Sequence, residues 1–174
     1  MQGFQQLFNL LLKDIGRELT DEFKENFIRK AFFNTAWKTA KHNTIGTLMM
    51  RTGALRQSIS NPVISNTSIK WESSLPYADI LNHGGKITVT QKMCGFFWYK
   101  YRMATGGNNK NLNPEALFWK AMALKKVGSV IVIEKRQFIG DHPQVHTAIK
   151  NTADDWMAND LKPFIDKQLN NLIN

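Results

Sequence analysis

Asp79 and His83 stand four residues apart in Tyr77-Ala78-Asp79-Ile80-Leu81-Asn82-His83-Gly84-Gly85. On a helix that spacing puts a carboxylate and an imidazole on one face, as an acid/base pair requires. No nucleophile or third group is fixed beside them, so the pair earns no catalytic assignment. Asp141, His142 and His146 form a second group, with two imidazoles four apart on a helix. A stable metal site needs further ligands that the chain does not place, and helix capping and surface exposure account better for these histidines. Cys94 is the only cysteine, which excludes an intrachain disulfide and a cysteine-based zinc cluster and suits a reducing compartment. There is no Walker-type glycine loop and no Gly-x-Ser-x-Gly elbow. The chain reads as non-enzymatic, with no catalytic residue, cofactor or metal.

The third chemistry-bearing stretch is Phe96-Phe97-Trp98-Tyr99-Lys100-Tyr101-Arg102, too continuously aromatic for an ordinary exposed loop. Aromatic rings interleaved with cations can stack bases while the cations meet phosphate. Lys100, Arg102, Lys120, Lys125 and Lys126 are the candidate DNA-facing residues. The competing account makes the rings core or subunit contacts and the lysines a solvated face, and the segregation of lysines on 114–126 favours it. Charge follows the same division. The net charge of +9 is concentrated in residues 86–136, where ten Lys and Arg face two acids. Such an excess suits an acidic partner, nucleic acid or protein.

The elements that must hold these residues follow from periodicity. Phe4, Leu7, Phe8, Leu11 and Ile15 predict an amphipathic helix ending near Gly16, and Thr20 before Asp21 and Glu22 predicts the cap of a second helix with Phe23, Phe27, Ala31 and Trp37 on one stripe, widened by Phe32 and Phe33. A loop is expected from His42 to Arg51. Thr52 then caps a short turn with Leu55 and Ile59 inward and Arg51 and Arg56 solvated. Asn61-Pro62 breaks that turn, and Val63-Ile64 and Ser68–Glu72 form a hairpin about Ser65-Asn66-Thr67, burying Ile69 and Trp71.

One helical turn from Tyr77 stops at Gly84-Gly85 and feeds a half-buried strand with Ile87 and Val89 inward. A linker is read at 105–111. Asn113-Pro114-Glu115 starts a helix with Leu117, Phe118, Ala121 and Leu124 as its apolar face, stopped by Gly128. Val130–Ile133, apolar on both faces, reads as a central or covered strand. Asp141 or His142 caps the last helix, Pro143 starts it, and Pro163 kinks or splits it.

These elements suit one domain over residues 1–174. The fold class is α+β, a small mainly antiparallel β-sheet packed by long N-terminal and C-terminal helices, with a helical basic-aromatic arm inserted at 91–128. The longest apolar run near the start, Leu10-Leu11-Leu12, is far short of a membrane span, and Met1-Gln2-Gly3 lacks the basic start of a signal peptide. A soluble protein made in the cytoplasm is expected.

Three blocks in order carry a family resemblance: Arg51-Thr52-Gly53-Ala54-Leu55-Arg56-Gln57-Ser58-Ile59, then Tyr77 to Gly85, then Arg136-Gln137-Phe138-Ile139-Gly140. Together they resemble the phage virion morphogenesis, or tail completion, proteins of tailed bacteriophages over about residues 48–150. The matching structural positions are Thr52, Gly53, Leu55, Tyr77, Gly84, Gly85, Arg136, Phe138 and Gly140. Asp141 departs from the Ser common in that family but keeps a capping oxygen. The resemblance implies a homo-oligomeric ring at the virion head-tail junction, assembled in the host cytoplasm. Its implied partners are a head-side connector or neck protein, tail terminator or tail tube proteins, and DNA passing through the ring. Phe96, Phe97, Trp98, Tyr99, Tyr101, Phe32 and Phe33 are the interface residues expected of such a ring, because aromatic residues are enriched at interface cores.

Overall fold

Helix α1 (Gln2–Arg29) is the element on which the others are laid. The computed structural model describes residues 2–39, 49–50, 52–59, 62–107 and 113–173. Leu11, Ile15, Leu19, Phe23 and Phe27 recur every four residues along α1 and are all buried. Each large apolar side chain so removed from water contributes roughly 1.5–3 kcal/mol. The two helices expected from Gly16 and Thr20 are one. Gly16 lies inside α1, where an added Cβ would stand 3.3 Å from Ile64 Cδ1, so the glycine makes room for a crossing hairpin instead of ending the helix. Thr20 caps nothing: its hydroxyl donates to the Gly16 carbonyl at 2.6 Å and accepts the Trp71 indole N–H at 2.8 Å.

α1 stops at Lys30, whose φ is 56°, and the chain reverses through β1 (Ala31–Phe32) and β2 (Thr35–Ala36). Trp37 therefore follows a hairpin rather than riding a helical stripe, and its indole donates to the Gln137 carbonyl at 2.7 Å. Asn26, fully buried, joins these parts: its Nδ2 donates to the Phe138 carbonyl at 3.2 Å and its Oδ1 accepts the Phe33 N–H at 2.9 Å.

The expected loop from His42 to Arg51 falls outside the described residues except for Met49 and Met50, as do Arg51 and Asn61. The short helix α2 (Ala54–Ser58) buries Leu55, with Ile59 beyond it; Gly53 in a left-handed conformation is its cap, and Thr52 Oγ1 accepts the Ala54 N–H at 3.4 Å. Arg56 is not freely solvated, since its Nε donates to the Lys24 carbonyl of α1 at 3.3 Å. Strands β3 (Val63–Ile64) and β4 (Ile69–Lys70) form the expected hairpin, and Ile69 and Trp71 pack against the core.

Helix α3 (Ala78–His83) ends at Gly84 and leads into β5 (Gly85–Thr88), which pairs antiparallel with β6 (Val130–Ile133). Between them lie α4 (Gln91–Thr105) and α5 (Pro114–Ala123). The chain closes with α6 (Pro143–Trp156), a π-helical turn (Met157–Leu161) and α7 (Lys162–Ile173). The π turn absorbs Pro163, whose ring and missing N–H break regular bonding to the turn before.

The fold is α+β. Among the described residues its strands lie in three separate antiparallel pairs rather than one sheet. β6 is correspondingly not central: it pairs only with β5, and Val130 and Val132 are exposed. The main core gathers α1, Phe32, Phe33, Trp37, Leu55, Ile59, Ala78, Phe138 and Trp156. Among the described residues it draws on nothing between Leu81 and Phe138, so residues 85–133 form an arm on a body.

Candidate interaction surface

The arm begins as a ribbon. β5 and β6 are extended by Val89, whose N–H donates to the Ser129 carbonyl at 2.8 Å and whose carbonyl accepts the Gly128 N–H at 2.9 Å. The two ends of the helical hairpin therefore meet at one ladder step. Thr90 Oγ1 caps α4 by accepting the Met93 N–H at 3.2 Å. Asn113 caps α5 through Ala116 N–H at 2.8 Å and ties it to α4 by donating to the Ala104 carbonyl at 2.8 Å. Of the expected linker, Thr105 ends α4, Gly106 and Gly107 adopt positive φ, and 108–111 lie outside the described residues.

α4 and α5 pack chiefly on each other. Their small shared core holds Cys94, Phe97, Tyr101, Ala116 and Ala123, with Phe97 stacked on Trp119 at 6.1 Å. Most of the apolar face expected for α5 is turned outward: Leu117, Ala121 and Leu124 face solvent and Phe118 is half-buried against Trp119, while Ala116 and Ala123 face α4. The aromatic run divides in the same way. Phe97 and Tyr101 are 7% and 6% exposed, whereas Phe96, Trp98 and Tyr99 are 49%, 36% and 56% exposed. Lys92, Phe96, Tyr99 and Met103, at spacings of four, three and four, make an outward stripe bordered by Trp98 and Arg102.

Among the described residues no ion pair involves Lys86, Lys92, Lys100, Arg102, Lys120, Lys125 or Lys126. Lys100 Nζ lies 5.7 Å from the centre of the Phe96 ring, a cation–π contact. Lys125 and Lys126, just beyond α5, are exposed beside exposed Leu124 and Val127.

Two expected interface residues are elsewhere. Phe32 and Phe33 are buried in the body, where Phe33 stacks on the His142 ring at 4.5 Å and Phe32 meets it edge-on at 5.4 Å. They are core side chains with no face for a partner.

Of the motif positions, Tyr77 is exposed and Phe138 buried. Gly84 has φ 74° and ψ 171°, a region open essentially to glycine alone, and an added Cβ would stand 2.9 Å from the Lys135 backbone nitrogen. The Arg136 N–H donates to the Leu81 carbonyl at 2.8 Å, and Asn82 Oδ1 accepts the N–H groups of Phe138 at 2.9 Å and Ile139 at 3.2 Å. The second and third motif blocks are thus bonded to each other, and Leu55 and Ile59 of the first share their core.

The histidine groups form local contacts. His83 Nδ1 bonds Asp79 at 2.9 Å on an exposed face. His142 Nδ1 caps α6 by accepting the Gln144 N–H at 3.2 Å, and His146 bonds Asp141. Among the described residues no group of three or more His, Cys, Asp or Glu gathers as a metal site, and no helix is long and apolar enough to cross a membrane.

A feature the periodicities do not reveal lies on the body. A cleft of about 500 Å³ runs between α1 and α6, lined by Leu11, Asp14, Arg17, Glu18, Thr152, Asp155, Trp156, Asn159 and Asp160. The i,i+4 spacing of Asp14 and Glu18 was its only sequence signal, because the opposite wall comes from a helix over 130 residues away. Comparison with protein-family models, curated proteins and solved structures returned no match.

Proposed function

We propose that the chain is a structural subunit of a tailed bacteriophage virion that completes the tail and joins it to the head, acting in a ring at the neck. The observation that carries this reading is the convergence of the three motif blocks. Segments some 20 to 80 residues apart in sequence share one core around Phe138, and the second and third bond through Arg136, Asn82 and Leu81. A body organised by these blocks leaves the basic aromatic arm free for a neighbour. Exposed Phe96, Trp98 and Tyr99 supply the apolar anchors, and unpaired cations supply the rim, the composition of a protein interface.

Gold-labelled antibody on particles from producing cells tests the reading by electron microscopy. Label confined to the head–tail junction is expected. Unlabelled particles from cells that contain the protein would overturn a resident neck role.

A second reading has its own observation: Trp98 and Tyr99 stand exposed beside Arg102 and unpaired lysines, the elements of a nucleic-acid surface. If five cations meet phosphate, the log–log salt slope of duplex binding is roughly −4.5. Negligible binding in low salt removes this reading.

A further inference from the structure

We infer that the acidic cleft between α1 and α6 receives the basic arm of a second copy of this chain, head to tail. The inference rests on the ring reading above and names the contact between neighbours. Four carboxylates, Asp14, Glu18, Asp155 and Asp160, face the cleft against the single guanidinium of Arg17. Asp14 is paired with that guanidinium at 3.4 Å and Glu18 accepts the Thr152 hydroxyl, while Asp155 and Asp160 have no ion pair among the described residues. This charge repels nucleic acid and anionic surfaces and selects a cationic occupant.

The lining narrows the choice. Leu11 and the ring of Trp156 border the cleft beside these carboxylates, so a cationic segment with apolar neighbours fits it better than a bare cation. The chain itself carries such a segment: Lys125 and Lys126, exposed and in no ion pair among the described residues, beside the exposed apolar Leu124 and Val127. The arm of the same copy does not fill the cleft, since α4 and α5 pack on each other and not along α1 or α6. Two different, complementary patches on one chain generate a heterologous contact, which closes into a ring when the rotation allows.

The test is charge reversal in the full chain at four exposed positions, with circular dichroism as the check on folding. Asp155→Lys with Asp160→Lys, or Lys125→Glu with Lys126→Glu, each lowers self-association at least about tenfold in sedimentation at low salt. Mixing the two double variants restores it, because each arm then meets a cleft of opposite charge. Association of either double variant at wild-type strength overturns the inference. So does a mixture that fails to recover, or a wild-type chain that stays monomeric at its highest soluble concentration. The neck reading stands or falls separately: restored association by a chain absent from the junction removes that reading and keeps this contact, and junction label with no recovery on mixing does the reverse.

Discussion

The body and the arm are both rich in aromatic side chains and use them in opposite ways. In the body Phe23 and Phe27 of α1 and Phe32, Phe33, Trp37 and Phe138 packed against it are all buried, and Phe27 meets Trp37 at 5.7 Å and Phe138 at 5.1 Å. In the arm only Phe97 and Tyr101 are buried, and Phe96, Trp98 and Tyr99 remain at the surface. A two-helix hairpin has one seam, so it cannot bury side chains that point around most of a helix. The excess apolar surface, together with the unpaired cations, is what a partner would cover. Aromatic content alone does not distinguish core from interface; the number of surfaces available to each element does.

Substitutions in the body should give the largest stability losses. Phe138→Ala is expected to cost about 3–5 kcal/mol in denaturant unfolding, because it empties the point where all three motif blocks meet. A loss below about 1 kcal/mol would mean that the shared core does not organise the body. Asn26→Ala strands the Phe33 N–H and the Phe138 carbonyl and should cost about 1–3 kcal/mol for each buried group. Gly84→Ala follows at about 1–3 kcal/mol, from its glycine-only backbone angles and the close Lys135 backbone. Gly53→Ala, where an added Cβ meets nothing within 4 Å, is the control that separates collision from backbone strain.

The smallest effect on the body is expected from the largest change to the arm. Replacing residues 90–127 with Asn-Gly joins Val89 to Gly128, which are already bonded across the ribbon, through a tight hairpin turn. The body should keep its cooperative unfolding and its core amide protection, measured by hydrogen exchange. Loss of protection in α1 would show that arm and body are one unit and would break the comparison.

Much of this division is legible in the sequence where local chemistry decides. Asn113-Pro114 and His142-Pro143 start helices at the predicted positions, and Gly84 stops one, because caps and positive φ depend on few neighbours. The half-buried strand with Ile87 and Val89 inward is likewise readable from its alternation. The failures are tertiary. Gly16 and Thr20 have the types of a helix break and a cap, yet the β3–β4 hairpin and Trp71 use them as a notch and a hydrogen-bond partner inside a continuous helix. β6 has the composition of a covered strand but only one neighbour among the described residues. α5 turns Ala116 and Ala123 toward α4 because close helix packing favours small side chains, leaving Leu117, Ala121 and Leu124 outside. In the candidate surface the aromatic run was visible, but which rings face outward depended on the hairpin.

The most direct test of the account is the triple substitution Phe96→Ala, Trp98→Ala, Tyr99→Ala, assayed for joined particles alongside denaturant unfolding of the purified protein. All three side chains are exposed, so the prediction is unfolding of the body within about 0.5 kcal/mol of wild type and a sharp fall in joined heads and tails. Normal particle yield with the protein folded would contradict the claim that the arm is the surface through which this chain meets its partners.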